Sequence, residues 1–498
     1  MSRCLVGVLC GVLLVGPVLG CRPSSEGQGQ AAKSRVRREP HPILIIGVDG
    51  VEWDVVLPML AEDRLPNLAR LMEGGSFGEL TSIQPTSSPV IWTSIATGKT
   101  PQKHGILGFV HSRRGPQEAQ RLFSSNDRRT KAFWNILTDL GLRVTVIGWW
   151  MTFPVEEING VMVAQVNTST PERNQAGQGI WKGSLVPDLK GQVHPPERQE
   201  EILSIVPQVE ADLPTLLIGI FGEFSDSLGP VAQRLWKACT WAFRADATYH
   251  RVALKLLRED ADFDIFTVYF GGSDLAGHRF WRYMQPELYR VQPAEEETKD
   301  LGEVIWEYYA YLDQVVGELV KAAPADCVVV VVSDHGMAPI NLDRRYALED
   351  LTRHLISAHH WYAPPGLFVA CGPNIRQNQI GKPIAELTRA DLPTVGSVFD
   401  VLPTLFRLLK IPSARDMDGS VMEEIIEPDY LARSPMPLVD TYTPPGWHEN
   451  RIKSNVQSIN LQERLEQLRT LGYIAEEGQE EPDEHNATPS VYEDEYGG

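Results

Sequence analysis

Residues 326–336 read DCVVVVVSDHG. Five consecutive valines are apolar at every position, the pattern of a strand covered on both faces and not of a half-exposed one. Comparable runs stand at 43–50 (ILIIGVDG), 143–150 (RVTVIGWW), 263–272 (FDIFTVYFGG) and 366–373 (GLFVACGP). Between them lie helical patterns: LPNLARLMEGG (65–75), with Gly-Gly as its stop, IWEYYAYLDQVVGELVKAA (305–323) and SVFDVLPTLFRLLKI (397–411). Strands alternating with helices predict an α/β fold with a mainly parallel central sheet flanked by helices. Residues 155–262 hold several prolines and no equally strong strand, so they are expected to form an insertion, a cap over the site.

The valine run ends in Asp334 and His335, and two other strands also end in carboxylates, Asp49 after ILIIGV and Asp274 after FTVYFGGS. In an open α/β sheet, ligand groups collect outside the carboxyl ends of the strands, so these residues are expected to converge. Any one of them alone could simply cap the next helix. His278 follows Asp274 by four residues, and one helical turn would put both on one face, able to chelate a common ion. Aspartate mixed with neutral histidine suits zinc or a similar borderline ion better than calcium or magnesium. More than four such ligands exceeds one tetrahedral zinc, which points to a pair of ions. Such pairs stabilise attacking and leaving oxygens in displacement at phosphorus.

The stretch QPTSSPVIWTSIATG (84–98) then acquires two readings. Ser88, followed by Pro89 and a short helix pattern ending at Gly98, has the look of a helix cap. It is equally placed to be a nucleophile, because a metal-activated serine can attack phosphorus and a helix amino end favours phosphoryl oxygens.

In order, VDGVEWD, PTSSPVIWTSIATGKTPQKHGILGF, GGSDLAGH, VSDHGM and GLFVACGPNI resemble the alkaline phosphatase superfamily. The likeness is to its type I phosphodiesterase and nucleotide pyrophosphatase branch and the predicted phosphohydrolase/phosphomutase proteins beside it, over about 43–425. The resemblance implies an alkaline phosphatase-like core holding two divalent ions, Zn2+ or alternatively Mn2+. Asp49, Ser88, Asp334 and His335 would match the ligands of one ion; Asp274, His278 and a late histidine would match those of the other. For that histidine, SAHHWYAPPG offers His360, with His359 as rival; His354 is assigned to the preceding helix. The implied activity is hydrolysis of a phosphate ester, monoester or diester, through a covalent phosphoserine. Nucleotide pyrophosphatases usually carry threonine as nucleophile and asparagine three residues later, where this chain has Ser88 and Ile91. The missing amide weakens nucleotides as substrates. Sulfatases need cysteine or serine, then proline, then arginine; Ser87 and Pro89 are present, but Ile91 takes the arginine position. The same residues are also compatible with a phosphoryl or headgroup transferase, or with a non-catalytic metal-binding envelope scaffold.

Further residues carry weaker signals. His104 in QKHGI is expected to hold a turn, and Trp149, Trp150 and Phe153 to line the pocket or pack the core.

The chain has 498 residues and a net charge of −19, so no binding of a nucleic-acid backbone is expected. Residues 1–20 read as a signal peptide, and Val18-Leu19-Gly20-Cys21 resembles a bacterial lipobox, implying lipidation of Cys21, a membrane anchor and an extracytoplasmic location. An ordinary secretory signal is the competing interpretation. Residues 21–40 then form a polar tether, 41–425 the catalytic domain, 426–474 an extension docked on it through LRTLGYI (468–474), and 475–498 an acidic disordered tail. Three cysteines remain beyond Cys21, too few for a disulfide framework, so Cys239, Cys327 and Cys371 are expected as buried thiols. The Asn167-Thr168-Ser169 sequon carries little weight in a bacterial lipoprotein.

Overall fold

The computed structural model describes residues 39–111, 122–165, 185, 189–224, 228–341, 351, 355–433 and 435–450. The signal and lipidation segment, His354, the sequon, LRTLGYI and the acidic tail lie outside them.

A nine-stranded sheet forms the core. Its strands are β1 (Ile43–Val48), β2 (Gly75–Thr81), β3 (Val144–Ile147), β4 (Gly160–Val163), β5 (Val193–His194), β6 (Ile265–Phe270), β7 (Val328–Val332), β10 (Gly366–Cys371) and β11 (Thr394–Ser397). A separate ribbon pairs β8 (Ala338–Pro339) with β9 (Ala358–His359). The sheet order is β11-β2-β10-β7-β1-β6-β3-β4-β5, with β10 antiparallel to both neighbours and β5 antiparallel to β4. The expected parallel centre is present: β1 lies between β7 and β6 and runs parallel to both.

The continuous apolar runs follow from burial on both faces. Alternate residues of a strand point to opposite sides. Leu44, Ile46, Phe266, Val268, Val329 and Val331 join one apolar cluster, which also holds residues of the helices Trp53–Ala61, Val206–Phe221, Pro230–Glu259 and Val304–Ala322. Ile43, Ile45, Ile265, Tyr269, Val328, Val330 and Val332 join the other, with the helices Ser88–Thr97, Phe133–Asp139 and Val401–Leu408.

The expected cap differs from what the chain does over the described part of 155–262. There β4 pairs parallel with β3, β5 pairs with β4, and Val209, Leu213, Phe243 and Val252 are buried with Leu44 and Val268. This segment builds a sheet edge and a helical layer. Its strands escape notice in the sequence because they are short, of four and two residues. Cys239 and Cys327 are buried free thiols, as expected, and burial pushes both up to about 12; Cys371 is only half-buried.

Candidate metal centre

Strand register brings the acidic residues together. Val48 pairs with Phe270 and Gly47 with Val332, so Asp49 and Asp334 leave adjacent strands at the same level. The ladder continues one step, with Asp49 N–H donating to Phe270 O at 2.9 Å. Asp274 lies in the first turn of the helix Gly272–Met284, which starts directly after β6. Gly50 sits at φ +65°, where a Cβ would come 2.9 Å from the Asp274 backbone, so glycine is what lets the two loops touch.

Two overlapping groups of buried ligand atoms result. Asp49, Asp334 and His335 offer atoms that all lie within 4.8 Å of one another, as do Asp274, His335 and His360. His335 Nε2 is 3.4 Å from Asp49 Oδ1 and 3.3 Å from Asp334 Oδ2. His278 Nε2 is 3.5 Å and His360 Nε2 3.7 Å from Asp274 Oδ1. Of the two adjacent histidines, His360 joins a group of ligand atoms, whereas the His359 ring stacks on Trp361 and meets the His278 ring at 5.5 Å. Ser88 Oγ lies 3.4 Å from Asp49 Oδ1, donating to it. Ser88 is the first residue of its helix, Ser87 is the capping position, and neither side chain makes a capping bond. The structure thus brings Asp49, Ser88, Asp274, His278, Asp334, His335 and His360 together.

The histidines are set up as ligands. His278 Nδ1 faces Ala358 O at 2.7 Å and His335 Nδ1 faces Gly336 O at 2.8 Å; carbonyls only accept, so both Nδ1 atoms carry the proton. The Thr86 hydroxyl donates to His360 O and therefore accepts from His360 Nδ1–H at 3.0 Å. Each Nε2 is left as the acceptor nitrogen, turned toward the carboxylates, the orientation metal-bound histidines take.

The electrostatics show strain that cations would relieve. Burial, with Asp49 and Asp274 nearby, holds the Asp334 carboxyl well above the usual carboxylate range. Burial likewise pushes His278 and His360 well below, and His335 below, their ordinary range. Asp334 Oδ2 and His335 Nε2 are buried and make no hydrogen bond. Buried carboxylates and imidazoles left this way fit divalent cations of the zinc type.

Of the supporting residues, the sequence singles out Trp150 alone. Tyr269, Trp92 and Trp150 all donate to Asp49 Oδ2. Gly50 N–H donates to Asp334 Oδ1 at 3.3 Å. Asp246, on the helix Pro230–Glu259, accepts from the N–H groups of Gly271 (3.0 Å) and Gly272 (2.9 Å) and from Tyr308 OH, capping the helix that carries Asp274 and His278. A signal for Asp246 exists: it stands three residues from both Phe243 and Tyr249 on a buried helical face, where a carboxylate needs a partner. Glu52, fully buried, accepts from Met337 N–H at 2.9 Å and pairs with Arg389, pinning the turn after His335.

Of the other residues, Trp150 borders the site, whereas Trp149 is fully buried and Phe153 packs with Ala164 and Leu189. His104 holds its turn as expected: Nδ1 accepts from Ile106 N–H at 3.2 Å and Nε2 faces Ser94 Oγ at 3.0 Å.

Fold and site together give a mainly parallel α/β sheet with buried groups of carboxylate and imidazole atoms that could hold metal ions at the ends of its strands. Residues 43–395 match the type I phosphodiesterase / nucleotide pyrophosphatase family, and the chain belongs to that family of phosphoric ester hydrolases. No curated protein sequence matches it. Among solved structures it is similar to a phosphonoacetate hydrolase from Sinorhizobium meliloti in complex with phosphonoformate (17% identity, TM-score 0.35), over 61% of this chain and 58% of that one. It is also similar to murine ectonucleotide pyrophosphatase/phosphodiesterase 5 (13% identity, TM-score 0.41), over 76% of this chain and 98% of that one. An inactive variant of the murine protein in complex with AMP gives a TM-score of 0.43 at 13% identity, over 78% of this chain and 100% of that one.

Proposed function

We propose that the chain hydrolyses phosphate esters, diesters or monoesters, with Ser88 as nucleophile at a centre for two divalent ions, Zn2+ first and Mn2+ as the alternative. Asp49, Ser88, Asp334 and His335 would hold one, and Asp274, His278 and His360 the other. The observation that carries this reading is Ser88 Oγ at 3.4 Å from Asp49 Oδ1, inside a buried cluster of ligand atoms. Bound divalent ions would supply Lewis-acid stabilisation of phosphoryl charge and lower the pKa of the serine hydroxyl.

In the first step Ser88 Oγ loses its proton to solvent and bonds to phosphorus. The bond to the departing ester oxygen breaks, and its electron pair leaves with that oxygen. A water oxygen then attacks phosphorus, the Ser88–phosphorus bond breaks, and Oγ recovers a proton. Val90 and Ile91 N–H groups already bond Ser87 O, which fixes the helix start, and the amino end adds positive partial charge for phosphoryl oxygens. Ile91 is wholly buried and apolar, so this position itself offers no amide to phosphoryl oxygens.

The test is turnover of p-nitrophenyl phosphate, its phenylphosphonate ester and the bis-ester, abolished by chelator and restored by zinc or manganese. Metal-loaded protein that cleaves none of the three contradicts the reading. We further propose a bacterial envelope lipoprotein anchored through Cys21, for which Cys21→Ser should abolish labelling by radioactive palmitate and release the protein from membranes.

A further inference from the structure

We propose that Tyr269, with Trp92 beside it and Trp150 behind it, is a donor clamp that presents Asp49 to the metal centre through one oxygen only. This rests on the metal-centre reading above and concerns residues that do not themselves bind an ion.

The two oxygens of Asp49 have opposite surroundings. Oδ1 faces Ser88 Oγ and His335 Nε2, each at 3.4 Å. Oδ2 receives Tyr269 OH at 2.5 Å, Trp92 Nε1 at 3.0 Å and Trp150 Nε1 at 3.4 Å. An indole nitrogen only donates, so the direction of both tryptophan bonds is fixed. Trp150 Nε1 also lies 2.8 Å from Tyr269 OH; the tyrosine oxygen accepts there, which commits its own proton to Asp49. Donors in such a chain polarise one another. With the Tyr269 hydroxyl and the Trp92 N–H on Oδ2, and the Trp150 N–H shared between it and Tyr269 OH, the lone pairs of Oδ2 are used, and a cation approaches Asp49 at Oδ1, the side of Ser88.

The clamp is built into the core, which distinguishes it from aromatic packing that happens to touch a carboxylate. Tyr269 and Trp92 are buried, and Trp92 meets the rings of Trp149 and Tyr269 edge-on at 4.9 and 5.1 Å. Gly47 of β1 makes room: a Cβ there would come 2.9 Å from the Trp92 ring. Rings locked in this way hold their N–H and O–H groups in place before any ion arrives. Tyr269 is thus a positioning residue, and its effect belongs to the Asp49 ion alone.

The test is titration of the metal-free full chain with Zn2+, read by equilibrium dialysis and by tryptophan emission. Wild type should take up two ions. Tyr269→Phe should weaken one of them about 10- to 100-fold, the usual cost of losing an outer partner of a ligand, and leave the other within about threefold. Trp150→Phe, which removes the N–H shared between Tyr269 OH at 2.8 Å and the more distant Asp49 Oδ2 at 3.4 Å, should weaken the same ion by a smaller factor. His360→Ala should weaken the other ion, which identifies the two. Equal loss of both ions in Tyr269→Phe, or none in a variant whose near-ultraviolet circular dichroism is native, overturns the clamp. If Tyr269→Phe does not fold, unchanged zinc affinity in Trp150→Phe overturns it. Wild type that binds no zinc overturns the metal centre itself, a different result from a clamp that fails in a protein holding two ions.

Discussion

The two halves of the site are built by different means. Asp49 and Asp334 leave neighbouring parallel strands at the same level, and their supports are donors: the aromatic clamp on Asp49 and the Gly50 N–H on Asp334. Asp274 and His278 share one helical turn, while His360 directly follows the ribbon strand β9, and their supports come from elsewhere in the chain: Ala358 O, Thr86 and Asp246. The first half is fixed by sheet register and the second by docking of separate elements. The second should therefore be the more easily damaged by substitutions that touch no ligand.

Substitutions in both halves sharpen that contrast. Ser88→Ala should lower turnover by about 10³-fold or more while both ions remain bound, because the nucleophile is lost and the carboxylates and histidines are not. Ion content and rate measured on one preparation check this. His360→Ala should remove one ion, whereas His359→Ala should leave zinc affinity within about twofold; dialysis against zinc separates them.

Asp246→Asn tests the support of the second half through pH. Burial raises the Asp246 carboxyl to about 6. Between the ordinary aspartate value and that figure the folded state holds a proton the unfolded chain has lost, so stability falls as pH rises through this window. The difference from 3.8 to about 6 corresponds to ~3 kcal/mol. Metal-free wild type should therefore lose stability against urea between pH 4 and pH 6 relative to Asp246→Asn; parallel profiles would remove Asp246 as the buried, charge-bearing cap. Thr86→Val should have a smaller effect than His360→Ala, about tenfold on the ion held by His360, because only that ring's orientation is loosened. Equal weakening of both ions would break the distinction between the halves.

The proposed ligands are legible in the sequence and most of their supports are not. Asp49, Asp274 and Asp334 stand at the ends of runs too apolar to be anything but central strands, and His278 follows from helical spacing. His360 needs the family resemblance, because adjacent histidines before a strand are indistinguishable by pattern. Tyr269 sits inside an apolar run, where an aromatic residue reads as packing, and its hydroxyl matters only through a contact 220 positions away. Asp246 is obscured because the segment around it reads as a cap. Short edge strands do not announce themselves, so a segment that completes the sheet looks in sequence like an addition to it.

Anomalous diffraction from zinc-soaked crystals tests the central claim most directly. Two peaks about 3.5–4 Å apart are expected, one bonded to Ser88 Oγ, Asp49, Asp334 and His335 and the other to Asp274, His278 and His360. A well-ordered site with no zinc peak within bonding distance of Ser88 Oγ would contradict the account.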